Sequence, residues 1–366
     1  MSDYTTREMM EAFDQTPPVK TFLQKTFFPT EETHVSEKVE FDVRKGKRIM
    51  APLVSPRMGG KVITRQGFRT NQFTTPKIAP ERPMTIDDIT QRAIGENIYS
   101  QRTPEEREDE LLAKDWTDLE ESIARRKEWM CRQILFEGKI DVEDEEEGLD
   151  VQIDFGFSNI TYLGADAKWS LASVDPLKVL REIRRKIIKA TGKAPDIAIF
   201  ASDAIEDFVN NPYVMKAMNV LNMKNVVIEP RVVDPALTFY GRIAELDLDI
   251  CTYDEWFLND EGDEEAMIPA GTVLIGHSDG EGQVEYGSVT QMEDKKFVTY
   301  EGKLVPKEYA DEKNEVKMLR LTSRPLPRPY DVDSWAIIYV DGTKAEQGAI
   351  IWHTAVSYTH LRAHET

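Results

Sequence analysis

The stretch Thr103–Gly138 constrains this chain most, because its residues specify both ends of one uninterrupted helix. Thr103 can accept from the backbone N–H of Glu106 while Glu106 reaches back, which is a reciprocal capping box, and Pro104 suits the first helical position. Leu112, Trp116, Leu119, Ile123, Met130 and Ile134 recur at helical spacing and draw one apolar stripe. Glu121 with Arg125 and Glu128 with Arg132 stand four residues apart in the favourable orientation. The acids Glu105, Glu106, Glu108 and Glu110 crowd the first turns, bases gather later, and Gly138 is placed to stop the helix. At about 1.5 Å per residue the predicted helix is roughly 50 Å long, more than a compact domain requires. A rod of that length serves as the beam of an extended subunit.

The 366 residues allow about two or three domains with ample core, and 40% hydrophobic against 31% charged residues is a globular balance. The net charge of −20 disfavours nucleic acid as a partner for the whole surface. MSDYTTREMM lacks the basic start and apolar run of a signal peptide, and no stretch is apolar for long enough to suggest a membrane span. Two cysteines, Cys131 and Cys251, are too few for a disulfide framework and read as buried thiols in a reducing compartment.

Residues 1–34 read as an arm whose aromatic cluster, Phe22, Phe27 and Phe28, needs burial either on its own domain or against a neighbour. Val39, Phe41 and Val43 then alternate with polar residues as in a half-buried strand. From Arg44 to Arg82 there are ten bases (Arg44, Lys45, Lys47, Arg48, Arg57, Lys61, Arg65, Arg69, Lys77 and Arg82) against the single acid Glu81. Such a ribbon suits a nucleic-acid backbone, solvent, or an acidic protein face. The chain supplies acidic faces itself, at Glu105–Glu110 and in the run Asp141 and Glu143–Glu147. A basic hairpin laid over the acidic face of a neighbour is the economical reading.

Residues 85–100 link into the long helix, and Leu149–Phe157 alternates as a strand. Asp175–Pro176 repeats the cap-plus-proline start for a helix ending near Thr191–Gly192. Ile197–Phe200 is a short strand, Ser202 is read as the cap of the next helix, and Asn211–Pro212 separates that helix from one reaching Met223. Val226–Ile228, Leu248–Cys251 and Thr272–Gly276 read as strands, so 171–300 is an α/β unit, with Asn259–Glu265 as a polar loop. Glu315–Leu321 and Trp335–Val340 are return strands, and the last twelve residues, Ala355–Thr366, show no periodicity and are read as foreign to the fold.

Catalytic motifs are missing from this pattern. The turn Ala201-Ser202-Asp203 after a strand has no glycine and makes no phosphate cradle. Gly276-His277-Ser278-Asp279-Gly280 reads as a polar turn, because triad partners are brought together by a fold rather than by adjacency. The acids at 260–265 lack calcium-loop spacing, and His34 has no partner at ligand spacing. No cofactor, metal or catalytic residue is assigned, and an enzyme acting near His277 ranks last among the readings.

The order of these pieces resembles a tailed-phage major capsid protein, and more narrowly the phage lambda head protein and its capsid protein E family. The residues that carry the resemblance are Tyr4-Thr5-Thr6, Phe27-Phe28, Glu37-Lys38-Val39, Val54-Ser55-Pro56, Gly60, Val62-Ile63, Arg65, Gly67, Phe73-Thr74, Pro76 and Pro80. Later come Pro269, Thr272-Val273-Leu274, Gly276, Ser323 and Pro325-Leu326; the acidic run Asp141–Glu147 and everything after about Val340 depart from the family. The resemblance implies an α+β chain with the Hong Kong phage capsid fold. Its parts would be an N-terminal arm (1–34), an E-loop (35–84) overlying the adjacent subunit, and a peripheral domain (85–170) with a spine helix over 103–138. An axial α/β domain (171–300), return strands (301–345) and a tail (346–366) would follow. It further implies hexamers and pentamers of an icosahedral shell around double-stranded DNA, bound without sequence specificity. The implied partners are a scaffold, a portal and often a trimeric decoration protein, in the virion and, during assembly, in the host cytoplasm. On this reading the E-loop bases Arg44, Lys45, Lys47, Arg48, Arg57, Lys61, Arg65 and Arg69 and the arm residues Phe22, Phe27 and Phe28 meet neighbours, with Glu105, Glu106, Glu108 and Glu110 as the acidic face of the spine helix. An encapsulin-like cellular compartment on the same fold is the alternative.

Overall fold

The computed structural model describes residues 21–43, 69–90, 103–144, 149–219, 226–234, 236–259, 262–293, 295–311 and 315–341. Its beam is the helix Pro104–Glu137, 34 residues long, with both halves of the Thr103/Glu106 capping box formed and Gly138 left-handed at the C-terminal end. Those local signals act as the sequence requires, because caps satisfy the orphan N–H and C=O groups of a helix end. Leu119, Ile123, Met130 and Ile134 of the stripe are buried, while Leu112 and Trp116 pack half-buried on a smaller cluster with Leu304, Leu319 and Leu321. The Glu121–Arg125 pair forms at 2.8 Å. Glu128 does not pair with Arg132 as expected; it turns inward, and the Arg132 Nε donates to the Met267 carbonyl at 3.0 Å.

A mixed sheet of seven strands forms the larger core. From edge to edge it runs Ile160–Tyr162, Ala336–Tyr339, Thr272–Gly276, Ile197–Phe200, Leu248–Tyr253, Leu237–Ile243 and Val226–Asp234. The return strand Ala336–Tyr339 thus lies antiparallel to Thr272–Gly276 and parallel to Ile160–Tyr162. Thr272–Gly276 is buried at every position, as a strand covered on both faces must be. Helix Pro176–Thr191, capped by Asp175, buries Leu177, Leu180, Ile183 and Ile187 in the same core.

Some expectations shift at the level of single turns. Ser202 is the first residue of its helix rather than its cap; Ala201 stands at the cap position, and the Ser202 hydroxyl donates to Asp254. The following helix is Pro212–Asn219, and 220–225 lie outside the described residues. The polar segment after Asn259 closes a two-stranded ribbon, Trp256–Leu258 with Glu264–Ala266. The acidic run opens as a strand, Lys139–Asp144, pairing with Leu149–Asp154, because Ile140 and Ile153 sit opposite each other and are both buried.

Beside the long helix, Val305–Asp311, Val316–Thr322 and Glu81–Thr85 make an antiparallel sheet. A third sheet joins Thr30–Thr33, Gln283–Tyr286 and Pro325–Arg328. Among the described residues, Lys38–Val43 and Arg69–Thr74 pair only with each other.

Gly138 fixes how the beam hands over to the sheet side, since its φ is +74° and a Cβ there would stand 2.3 Å from the Phe157 Cβ. Gly138→Ala is therefore expected to lose about 2 kcal/mol or more of stability, which thermal unfolding would register as a clear fall in Tm. An unchanged Tm would contradict this role.

Candidate assembly interface

The arm is the first place where the chain had to choose between its own core and a neighbour. Helix Phe22–Phe27 is only six residues long, and Thr21 at its cap position makes no side-chain cap. Its orphan N–H groups are instead satisfied from the long helix: Phe22 N and Leu23 N donate to Glu128 Oε1 at 2.9 and 2.6 Å, and Gln24 N donates to Oε2 at 3.0 Å. Glu128 is 2% exposed, and its negative charge sits where the helix dipole is positive. Burial pushes the Glu128 carboxyl above its usual range, and the three backbone donors and the Tyr253 hydroxyl oppose that shift.

Behind this contact the arm is buried within its own chain. Leu23, Phe27 and Phe28 join the main core, and the Phe22 ring lies 5.1 Å from that of Tyr253. Gly280 N donates to Thr26 O and Gly282 N to Phe27 O, both at 3.0 Å. A Cβ on Gly280 would lie 2.5 Å from the Phe27 Cα, so the backbone approaches there as closely as only glycine allows. Of the two readings left open for the phenylalanines, packing on their own chain is the one this structure displays.

Next, Thr30–Thr33 runs parallel to Gln283–Tyr286. Glu31 accepts from the Tyr286 hydroxyl at 2.9 Å and Gln24 Nε2 at 2.8 Å, and pairs with Lys303 at 2.5 Å. Burial works to raise the Glu31 carboxyl, but Lys303, Lys127 and the Tyr286 hydroxyl overcome it and hold it below its ordinary value.

His34, expected to lack partners, has its Nε2 2.6 Å from Glu285 Oε2. Glu32, His34 and Glu285 each offer a ligand atom within 4.8 Å of the others. Glu285 also accepts from Arg328 Nε at 2.9 Å, and Glu32 accepts from Gln283 Nε2 at 2.6 Å. With a guanidinium already on its central carboxylate, the cluster laces the arm to the sheet.

The acidic face of the long helix is partly used within the chain. Glu106 closes the capping box, Lys317 Nζ is 2.7 Å from Glu108, and Glu105 and Glu110 are exposed. From the basic stretch, Arg82 Nη1 bridges Asp115 at 2.8 Å and Asp118 at 2.6 Å, and these carboxylates raise its pKa. Arg44, Lys45, Lys47, Arg48, Arg57, Lys61 and Arg65 lie outside the described residues, and Arg69 begins the strand opposite Val43.

At the catalytic-looking turn, Ser278 donates through N and Oγ to Asp196, both at 2.6 Å, while His277 Nδ1 accepts from Asp279 N at 3.3 Å. The serine hydroxyl thus faces a carboxylate rather than the imidazole, and the turn is held as a polar loop. Cys131 and Cys251 are free and buried, and burial pushes the Cys251 thiol up to about 12. Among the described residues no helix is long and apolar enough to cross a membrane.

A sequence model of the phage major capsid protein E family matches residues 5–340. The chain belongs to that family. It is the major capsid protein of a phage. It is 22% identical over 346 residues to the major capsid protein of Enterobacteria phage P21, covering 93% of this chain and 100% of the relative. It is 24% identical over 294 residues to that of Enterobacteria phage phi80, covering 79% and 84%. Its fold is similar to the crystal structure of the putative capsid protein of a prophage of E. coli CFT073, with a TM-score of 0.68, 16% identity, and coverage of 92% of this chain and 99% of that one. A phage-related protein from Bordetella bronchiseptica RB50 aligns at a TM-score of 0.52 and 13% identity, covering 92% and 97%. The capsid protein has the α+β Hong Kong phage capsid fold.

Sequence reasoning missed Glu128, the residue that fastens the capsid protein's arm. One signal was available: Ala124, Glu128, Cys131 and Leu135 form a row at helical spacing in which all four are buried and only Glu128 is charged. Glu128→Ala is expected to cost about 3 kcal/mol by orphaning three N–H groups, two of them buried and one half-buried, with Glu128→Gln losing less because a carbonyl acceptor remains. Denaturant unfolding followed by tryptophan fluorescence measures both, and wild-type stability in Glu128→Ala would contradict the assignment.

Proposed function

We propose that this capsid protein assembles into hexamers and pentamers of an icosahedral head enclosing double-stranded DNA, and that residues 35–84 act as a loop reaching over the adjacent subunit. The observation that carries the loop reading is the ribbon Lys38–Val43 with Arg69–Thr74, whose two strands pair only with each other among the described residues. Its base is held by its own chain, where Val39 is buried and the Phe73 ring lies 6.3 Å from that of Phe155, and a neighbouring copy would support the rest, because a two-stranded ribbon is marginal alone. The bases from Arg44 to Arg69 match the acids at the start of the long helix and in the run Asp141–Glu147, in a chain of net charge −20. A contact between two different patches of one chain is heterologous, and repetition of it closes rings and builds shells.

On this reading the helix Pro104–Glu137 is the spine of a peripheral domain over 85–170, the seven-stranded sheet belongs mainly to an axial domain over 171–300, and 301–345 returns to both. The chain works as structure, without catalytic chemistry of its own, in keeping with a structural family. An acidic wall would keep packaged DNA from adhering. Scaffold, portal and decoration proteins are the expected partners, and assembly would take place in the host cytoplasm before the protein resides in the virion.

Arg65→Glu combined with Arg69→Glu is expected to leave the monomer's circular dichroism and unfolding unchanged while abolishing the shells and capsomer rings that the proposal predicts for the wild type in electron microscopy. Raising the salt should weaken wild-type assembly in the same direction, since solvent-exposed ion pairs are screened. Normal shells from the double variant would overturn the loop pairing.

A further inference from the structure

The arm consists of two halves held by different physics. In the helix half, Leu23, Phe27 and Phe28 are buried in the main core, and the first N–H groups are bonded by Glu128. In the strand half, Thr30–Thr33, all four side chains are polar and none is buried. Hydrogen bonds and ion pairs hold that half, and each has a modest net worth because water competes for the same groups.

Glu31 is the charged centre of the strand half. Its carboxylate lies 2.5 Å from Lys303 Nζ and accepts from the Tyr286 hydroxyl at 2.9 Å, and that hydroxyl accepts from Lys127 Nζ at 3.1 Å. One arm acid thus answers two lysines, one on the long helix and one on the loop 301–304. Burial and, to a lesser degree, the Lys303 charge push Lys127 below its ordinary value, with Glu31 the largest influence opposing them. Without the Glu31 charge the two ammonium groups would repel each other.

The same loop reaches the strand a second time, where Thr33 Oγ1 donates to Glu301 Oε1 at 2.8 Å. It is also one foot of the hairpin Val289–Glu293 with Lys296–Tyr300. The other foot, Ser288, donates its N–H to the Ser36 carbonyl at 3.2 Å, just past the strand. Both feet of a hairpin whose Met292 and Phe297 stand exposed thus rest on residues 31–36 of the arm. We propose that Thr30–Thr33 is a strap that opens together with the feet of this hairpin, with Glu31 as its latch, while the helix Phe22–Phe27 stays anchored in the core. The strand is the outer member of its three-stranded sheet, so among the described residues it leaves without breaking any pairing but its own with Gln283–Tyr286. The Lys303 carbonyl stays bonded to Ser323 Oγ at 2.7 Å, so the loop loosens at its side chains rather than coming away. Displacement of the exposed hairpin and release of the strap are then one event, a built-in route from a surface contact to the arm.

Residue-resolved amide exchange of the unassembled full chain tests this with Glu31→Gln, which removes the charge and keeps a carbonyl acceptor for Gln24 and Tyr286. His34 N, which donates to the Tyr286 carbonyl at 2.8 Å, reports the strap; Ser288 N reports the hairpin foot, and Leu23 N the anchored helix. In Glu31→Gln, protection at His34 and Ser288 is expected to fall together by about tenfold, because a charge-assisted contact is lost, with Leu23 unchanged. Unchanged protection at His34 would overturn the latch. A fall at His34 without one at Ser288 would overturn the coupling to the hairpin, and an equal fall at Leu23 would mean one cooperative arm rather than a strap. Lys303→Met, which removes the partner from the loop side, is expected to give a smaller fall with the same pattern; wild-type protection at His34 in that variant would contradict the clasp.

Discussion

One carboxylate joins parts of this chain that lie more than a hundred residues apart. Glu128 projects from the middle of the 34-residue helix into the start of the arm and accepts three backbone N–H groups that no local side chain caps. A six-residue helix has no stability of its own, because nucleation fixes several dihedral pairs before hydrogen bonds repay them. The arm helix exists because the beam supplies its cap and the core supplies its apolar face. Burying Leu23, Phe27 and Phe28 contributes roughly 1.5–3 kcal/mol each, which offsets much of the roughly 1–2 kcal/mol per residue that ordering the backbone costs, and the hydrogen bonds to Glu128 add to it.

From that junction the rest of the architecture follows. The main cluster runs from arm residues through Met130, Ile134 and Leu135 of the beam to the central strands Ile197–Phe200 and Thr272–Gly276 and on to Trp335. The Trp335 Nε1 donates to the Leu135 carbonyl at 2.9 Å, so the return strand is tied to the beam as well. What this core does not cover is equally informative. The outward pair Met292 and Phe297 lies outside it, whereas the basic ribbon touches it through Phe73 at its base.

Features written in adjacent residues were legible in the sequence. The capping box at Thr103 and Glu106, the stop at Gly138, and the Asp175–Pro176 start each depend on residues within one helical turn, and each stands where the pattern put it. Strand existence was legible from alternation and apolar runs, but strand order was not: the sheet sets Thr272–Gly276 between Ile197–Phe200 and Ala336–Tyr339, and only tertiary packing can choose those neighbours. Glu128 escaped notice because Arg132 offered a local partner at the usual spacing, whereas the true partners are more than a hundred residues earlier. His34 escaped because its partner, Glu285, is likewise distant in sequence and reaches it only through parallel pairing of the arm strand. Family membership was legible because turn and packing residues keep their order over the chain even where the acidic run departs from it.

The central claim is that the arm is fastened to its own beam before any neighbour arrives. Amide hydrogen exchange of the unassembled protein tests this directly at Phe22, Leu23 and Gln24. The account predicts exchange there as slow as at the core strand residue Leu274, because the three N–H groups are bonded inside the subunit. Exchange at the rate of an unstructured peptide, with protection appearing only after assembly, would mean that the arm belongs to the neighbour and would contradict the account.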